Sequence, residues 1–483
     1  MKTPALLAAL LLAGSSMPAL AAASADEASR IAAALQSYFT AEAGVVTVTP
    51  DGDNYNLKLD FAPLFAKIKD PKVTISVTPL AMVLADQGGG KWTVTQDQPL
   101  AFAFKVDGTV DMAASIGSLK STGTFDEVLG AFSSTSADIT QFAMNQTVTE
   151  QGTTTNVTYT LGAMHYETAT TGTGDRADST MTSDFRDLRE TITMPAAPDG
   201  STPPMDFSIA APSGTQGGTI KGLRLDPVKQ LIAWFVARPA PDAIIAGQAE
   251  LKDKLRAAMP LFDSMEAGAT INDMTVNTLV GRFGLGQIEV LVNANGVVED
   301  GMVREKFTFA NVSLPEGIVP PWAANLVPSR LVVDFNVTDF NLAAAAKLLI
   351  DNFDLGKDPP ISPEVESQLQ QAIIPKGAVT LGLGPSEILA SLFHLKAEGG
   401  MTAGPAAPPA GQATFQLKGL DDVMGALQAA PPEMGLQQMA PMVIVAKGLA
   451  KQEADGYLSW KVESTPEGSV LVNGTDLMKM GGP

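Results

Sequence analysis

The chain has 483 residues, a net charge of −20 and a pI near 4.5. So acidic a surface repels polyanions, which argues against nucleic acid as a partner and against anionic lipid head groups as an electrostatic one. Cysteine is absent, which excludes disulfides, thiol nucleophiles and thiolate metal sites together. Apolar residues make up 45% of the chain and charged residues 17%, a folded composition and not a disordered one.

Residues 1–23 have the form of a secretory signal peptide. Lys2 supplies a positive start, Ala5 to Ala13 an apolar core, and Ala19-Leu20-Ala21 and Ala21-Ala22-Ala23 both fit small-x-small cleavage. The apolar run falls short of the roughly 20 residues a membrane span needs, and no later segment reaches that length. Without a cysteine there is no lipidation site. The mature chain is therefore expected to be periplasmic, with no transmembrane segment. At about 150 residues per domain it suits two or three domains, or one elongated one.

Ile31, Leu35, Tyr38 and Phe39 form one helical stripe over 27–41. Gly44 ends it. Val45 to Thr49 and Tyr55 to Asp60 then read as a hairpin around Asp51-Gly52-Asp53-Asn54. Strands are predicted at Val73–Val77, Leu80–Leu84, Trp92–Thr95 and Leu100–Val106, a meander with one buried face. Thr-rich strands continue through 145–195.

Residues 195–218, dominated by Pro, Gly and Ser, read as a linker or a long loop on a continuous sheet. The division is then a sheet-rich half over 24–194 and an α+β half over 219–483. In the second half, Asp226-Pro227 opens a helix to Val236, and another runs from Pro241 to Met259. Strands are expected at 269–279, 287–293, 302–312, 330–338 and 378–383, with helices at 342–353, 363–374 and 385–395. A Gly/Ala/Pro loop at 399–411 precedes a strand entering a helix at Asp421-Asp422. Four strand-to-helix entries through Asp or Asn, at Asp60, Asp226, Asn341 and Asp421, make a loose echo that either reflects one architecture or simply the capping preference of these residues.

No catalytic constellation emerges. His165, beside Tyr166 in a Thr-rich strand, and His394, in an apolar stretch read as helix, lie far apart in sequence, which disfavours a histidine metal centre. Gly88-Gly89-Gly90-Lys91 joins two strands and lacks the helix N-terminus of a phosphate loop. Gly382 and Gly384 are a lone glycine pair before Pro385. Asp51, Asp53 and Asp60 miss the calcium-loop pattern. No catalytic, cofactor-binding or metal residue is assigned, and no cofactor is expected. Twenty methionines, with Met434, Met439, Met442, Met478 and Met480 near the C-terminus, suit core packing or an adaptable apolar groove.

The tail carries a likeness. Leu449, Gly456-Tyr457, Trp460-Lys461-Val462, the turn Pro466-Glu467-Gly468 and Leu471-Val472-Asn473-Gly474 resemble the end of YdgA-like proteins, an uncharacterised family of bacterial envelope proteins, and of related alphaproteobacterial periplasmic proteins. Trp322 to Phe340 is similar too. The resemblance implies an exported, elongated, sheet-rich protein and brings no catalytic residues. In the tail strand, Leu458, Trp460 and Val462 are expected to point inward.

The expected fold is α+β: long curved antiparallel sheets, amphipathic helices on their concave face, in two similar halves. The expected function is a non-enzymatic periplasmic protein of the cell envelope that binds a lipid or other apolar ligand, with other envelope proteins as further partners. An exported hydrolase with a carboxylate site and a scaffold for envelope assemblies are the alternatives.

Overall fold

The structure is a computed structural model that describes residues 22–39, 42–68, 70–150, 153–196, 203–238, 241–405 and 407–480. Nearly all of the expected signal peptide lies outside these residues.

Helix α1 (Ala25–Phe39) leads into the hairpin β1 (Val46–Asp51) and β2 (Asn54–Leu59), the short helix α2 (Ala62–Phe65), and strands β3 (Val73–Val77), β4 (Leu80–Gly88) and β5 (Lys91–Val106). Five long strands follow: β6 (Val110–Asp126), β7 (Ala131–Glu150), β8 (Thr153–Thr173), β9 (Arg176–Met194) and β10 (Met205–Leu223). Helices α3 (Leu225–Val236), α4 (Pro241–Ala246) and α5 (Gln248–Ala258) precede β11 (Ser264–Thr278), β12 (Gly281–Asn295) and β13 (Gly301–Ser313). A 3-10 segment, Pro321–Leu326, then enters β14 (Pro328–Phe340), helices α6 (Leu342–Asn352) and α7 (Pro363–Ile373), and strands β15 (Val379–Ala390), β16 (His394–Gly404) and β17 (Ala407–Lys418). The chain closes with α8 (Leu420–Gln428), α9 (Ala440–Leu449), the short strands β18 (Lys451–Gln452), β19 (Leu458–Ser464), β20 (Val470–Val472) and β21 (Thr475–Asp476), and one last turn, α10 (Leu477–Met480).

All 21 described strands belong to one antiparallel sheet. From β5 to β17 each strand pairs with the next in sequence, so the sheet is a meander of local hairpins. At one edge β1 pairs with β2, and at the other β21 pairs with β20. The two edges do not meet. The expectation of long curved sheets in two similar halves, with helices on a concave face, is thereby overturned: there is one large open sheet, neither curled nor closed, in an elongated α+β molecule. Of the stretch read as linker or loop, 205–218 lies in β10, paired with β9 on one side and β11 on the other. Its glycines and serines suit a strand whose neighbours supply the bulk.

The helices are not laid across the sheet in general. Helix α1 covers the first strands, where Ala28 and Ile31 pack with Val45, Tyr55, Leu57, Leu59, Leu84 and Trp92 in a compact core. Helices α3 to α7 sit at the strand ends, where α1 touches α3, α3 touches α5, α5 touches α6 and α6 touches α7. Arg256 of α5 and Asp351 of α6 form an ion pair at 2.8 Å, and Asn341 caps α6 by accepting from the Ala344 amide at 2.8 Å. The opposite rim carries the 3-10 segment, α8 and α9. Two expected helices are different. Residues 385–390 end β15 and His394 opens β16, with a tight turn at 391–393 between them, because a short apolar run fits either a buried helix or a strand. The helix expected from Pro241 to Met259 is divided into α4 and α5 at Gly247.

The chain exposes 28119 Å² of surface, against about 17,000 Å² for a folded monomer of this mass. A sheet left as a single layer over most of its area contributes to that excess.

Candidate functional site

The site-bearing feature begins in the strand alternation. In β6 the apolar residues are Leu119 on one side of Gly117 and Ile116 on the other, a spacing of three that breaks the period of two. The same slip occurs at Ile139/Phe142 in β7, Leu161/Met164 in β8, Phe185/Leu188 in β9, Ile271/Met274 in β11, Leu285/Ile288 in β12 and Phe309/Val312 in β13. Because side chains alternate, a slip of one residue would send the two halves of each strand to opposite faces.

A seam of local irregularities prevents this. Gln141, Asp187, Asp273 and Asn311, on alternate strands β7, β9, β11 and β13, take φ of 56°, 55°, 51° and 56°. Facing them on the even strands stand Gly117, Gly162, Pro212 and Gly286, each passed over by the paired register. The glycines are needed for space. A Cβ on Gly286 would lie 2.7 Å from the Asn311 Cβ, and one on Gly162 3.0 Å from that of Asp187. Each strand thus leaves one residue unpaired at the seam without any shift of register, and the apolar sets on both sides return to one face.

The result is a cross-strand apolar spine. Paired in unbroken sequence are Leu119, Ile139, Met164, Phe185, Gly214, Ile271, Ile288, Phe309, Leu331, Ile388, Leu395, Leu417 and Leu458. Where glycine interrupts it, the Phe185 ring lies over Gly214 and fills the gap. At about 4.8 Å per strand the spine is about 58 Å long, roughly twice the 30 Å hydrocarbon thickness of a bilayer. Its side chains are half-buried, none sealed by a second layer. Helix α1 covers this face at the first strands. At the other end Trp460 Nε1 donates to the Ala446 carbonyl of α9 at 2.7 Å, which places α9 against the same face. Between them no helix among the described residues covers the face. Beside the spine, Leu381, Leu383, Met401, Ala413 and Val462 line a shallow trough of about 310 Å³.

The opposite face is polar. His165 Nδ1 sits 2.8 Å from Asp138, with Glu167 3.4 Å from Nε2, and Asp138 foremost raises the imidazole above its ordinary pKa. His394 is the first residue of β16. Its Nε2 meets Glu387 at 2.9 Å and its Nδ1 the Tyr457 hydroxyl at 2.7 Å, so both nitrogens are satisfied. Burial pushes the Glu387 carboxyl up, but His394 and Arg330, the latter at 2.8 Å, outweigh it and hold the group below its usual range. The two histidines, on β8 and β16, lie eight strands apart across the sheet and share no site. Asp334, nearly fully buried, takes a bidentate grip from Arg304 at 2.8 and 2.6 Å, which holds it low against the cost of burial. Among the described residues every carboxyl with a resolved shift is lowered, and no group of three potential metal ligands converges. A general acid needs the opposite shift.

The remaining sequence candidates have structural roles. Gly88 to Gly90 form the β4–β5 turn with positive φ. Gly382, Gly384 and Pro385 lie inside β15, where the missing Cβ of Gly384 leaves room for the Asp334 carboxylate. Asp60 pairs with Lys58 at 2.9 Å, Asp51 accepts from the Asn56 amide, and Asp421, in the first turn of α8, pairs with Lys447. Met434 and Met442 are exposed; the side chains of Met439, Met478 and Met480 lie outside the description. No helix among the described residues is long and apolar enough to cross a membrane. The spine itself was missed in sequence, although the spacing of three at each seam was there to be read.

No family model matches the chain, and neither the curated proteins nor the solved structures yield a match.

Proposed function

We propose that the chain is a non-enzymatic protein of the cell envelope, exported to the periplasm, that holds acyl chains of a lipid along its apolar spine. The observation that carries the reading is the spine: aliphatic and aromatic side chains of 12 strands in register across 13, with Gly214 the one gap, and, among the described residues, helices over its two ends and none over its middle. Soluble proteins seldom leave contiguous apolar area beyond a few hundred Å² uncovered unless something binds there. Apolar contact is non-directional, so no reactive or hydrogen-bonding group is needed to hold a hydrocarbon chain. The leader-like N-terminus supports the compartment.

Gentle purification from an envelope fraction followed by native mass spectrometry tests this. Wild type is expected to carry acyl lipid, and Ile288→Asp/Phe309→Asp to lose it with little change in melting temperature, because both side chains are already half-exposed. Lipid-free wild type that also fails to bind a fluorescent fatty acid would overturn the reading.

A further inference from the structure

The rim opposite α3–α7 ends in aliphatic residues where a protein bathed in water places polar ones. The β11–β12 turn has Leu279 at its tip, 70% exposed, and Val280, 67% exposed. Hairpin tips ordinarily carry Gly, Asn, Asp or Ser. The next connection on the same rim, between β13 and β14, presents Leu314 and Ile318, also exposed, and the two segments touch: a Cβ on Gly281 would lie 2.6 Å from Pro315. Further along, the 3-10 segment Pro321–Leu326 packs on α8. Beyond α8, α9 turns Met442, Ile444 and Val445 to solvent, Ile444 at 70%. The connections after β11, β13 and β17 leave the sheet at the same ends of its strands, so these groups share one rim.

We propose that this rim docks on the surface of a neutral, zwitterionic bilayer, the Leu279–Val280 tip and α9 entering its headgroup layer. The inference rests on the acyl-chain reading and gives it an entry route. The apolar face is continuous with the tip through Val276, Phe283 and Val312, which face one way on β11, β12 and β13 next to the seam. The absence of a basic excess selects the surface. Arg282 and Glu316 beside the tip are of opposite sign, and Lys447 of α9 is paired with Asp421 at 2.6 Å. With −20 overall, an anionic membrane would repel the protein.

The test is flotation of the exported chain with phosphatidylcholine vesicles, with and without added phosphatidylglycerol. Wild type is expected to float with the neutral vesicles and less with the anionic ones. Leu279→Ser/Val280→Ser/Ile444→Ser/Val445→Ser is expected to lose at least ten-fold in partitioning, and its exposed positions make loss of fold avoidable. Independently, because the chain has no cysteine, Leu279→Cys carries a single environment-sensitive dye, whose emission should shift to the blue on adding vesicles. Wild type that stays in the soluble fraction, a quadruple variant that floats equally, or an unshifted dye each overturns the proposal. Ile288→Asp/Phe309→Asp should float as wild type does. Flotation by a chain that never loads acyl lipid supports docking and removes only the acyl-chain reading.

Discussion

A single residue decides the seam at each strand. Asn311 is exposed and holds φ at 56°, a conformation that Asn tolerates and a β-branched residue does not. Asn311→Val is expected to cost about 1–2 kcal/mol, and Asn311→Gly close to nothing, in urea denaturation; equal losses for the two would mean that the side chain and not the backbone matters there. Asp334 sets a pH dependence. Its carboxyl is held below its ordinary value by Arg304, so the pair's contribution is fully present above the ordinary carboxylate value and is lost as pH falls through the depressed one. Stability should decline below about pH 4. Asp334→Asn should flatten that acid limb and lower stability at neutral pH by about 1.5–3 kcal/mol, the worth of hydrogen bonds to a charged group.

At the scale of elements, the tail shows how far alternation reaches. The expected strand and turn are present as β19 and β20, and Asn473, with φ 48°, accepts from the Lys461 amide at 2.8 Å and donates to the Leu449 carbonyl at 2.8 Å. The inward face is not the expected one, however. Tyr457 and Ser459 are buried, while Leu458 and Trp460 are half-exposed under α9. Trp460→Ala should therefore cost about 2 kcal/mol, short of the 3–5 typical of a sealed core position; a thermal melt showing a full core loss would mean that α9 seals the face more tightly than its contacts indicate. Helix α7 was legible from the helical spacing of Val365, Leu369 and Ile373; the structure adds its cap, Ser362, which accepts from the Val365 amide, with Pro363 as the first helical residue. Helix 385–395 was misread, because an eight-residue apolar stretch has no period that separates helix from strand.

For the whole molecule, a single-layered sheet buries little against anything. Unfolding should expose less new surface than in a globular chain of equal length, so the denaturant dependence of its stability should be shallow for 483 residues. Hairpins that contact their neighbours alone also favour stepwise loss of structure over one cooperative transition. Chemical denaturation followed by far-UV circular dichroism checks both; a steep single transition would contradict the single-layer account.

Local strand propensity, Gly-rich turns and helix caps were determined by the sequence alone, because they depend on a few neighbouring residues: Val73–Val77, the Gly88–Gly90 turn and Asn341 at the start of α6 are examples. The continuity of the sheet through 205–218, the alignment of the unpaired positions into one seam and the joining of Leu119 to Leu458 in one spine belong to the tertiary structure. Each depends on which residues stand opposite one another on different strands, and strand alternation specifies a face without specifying a partner.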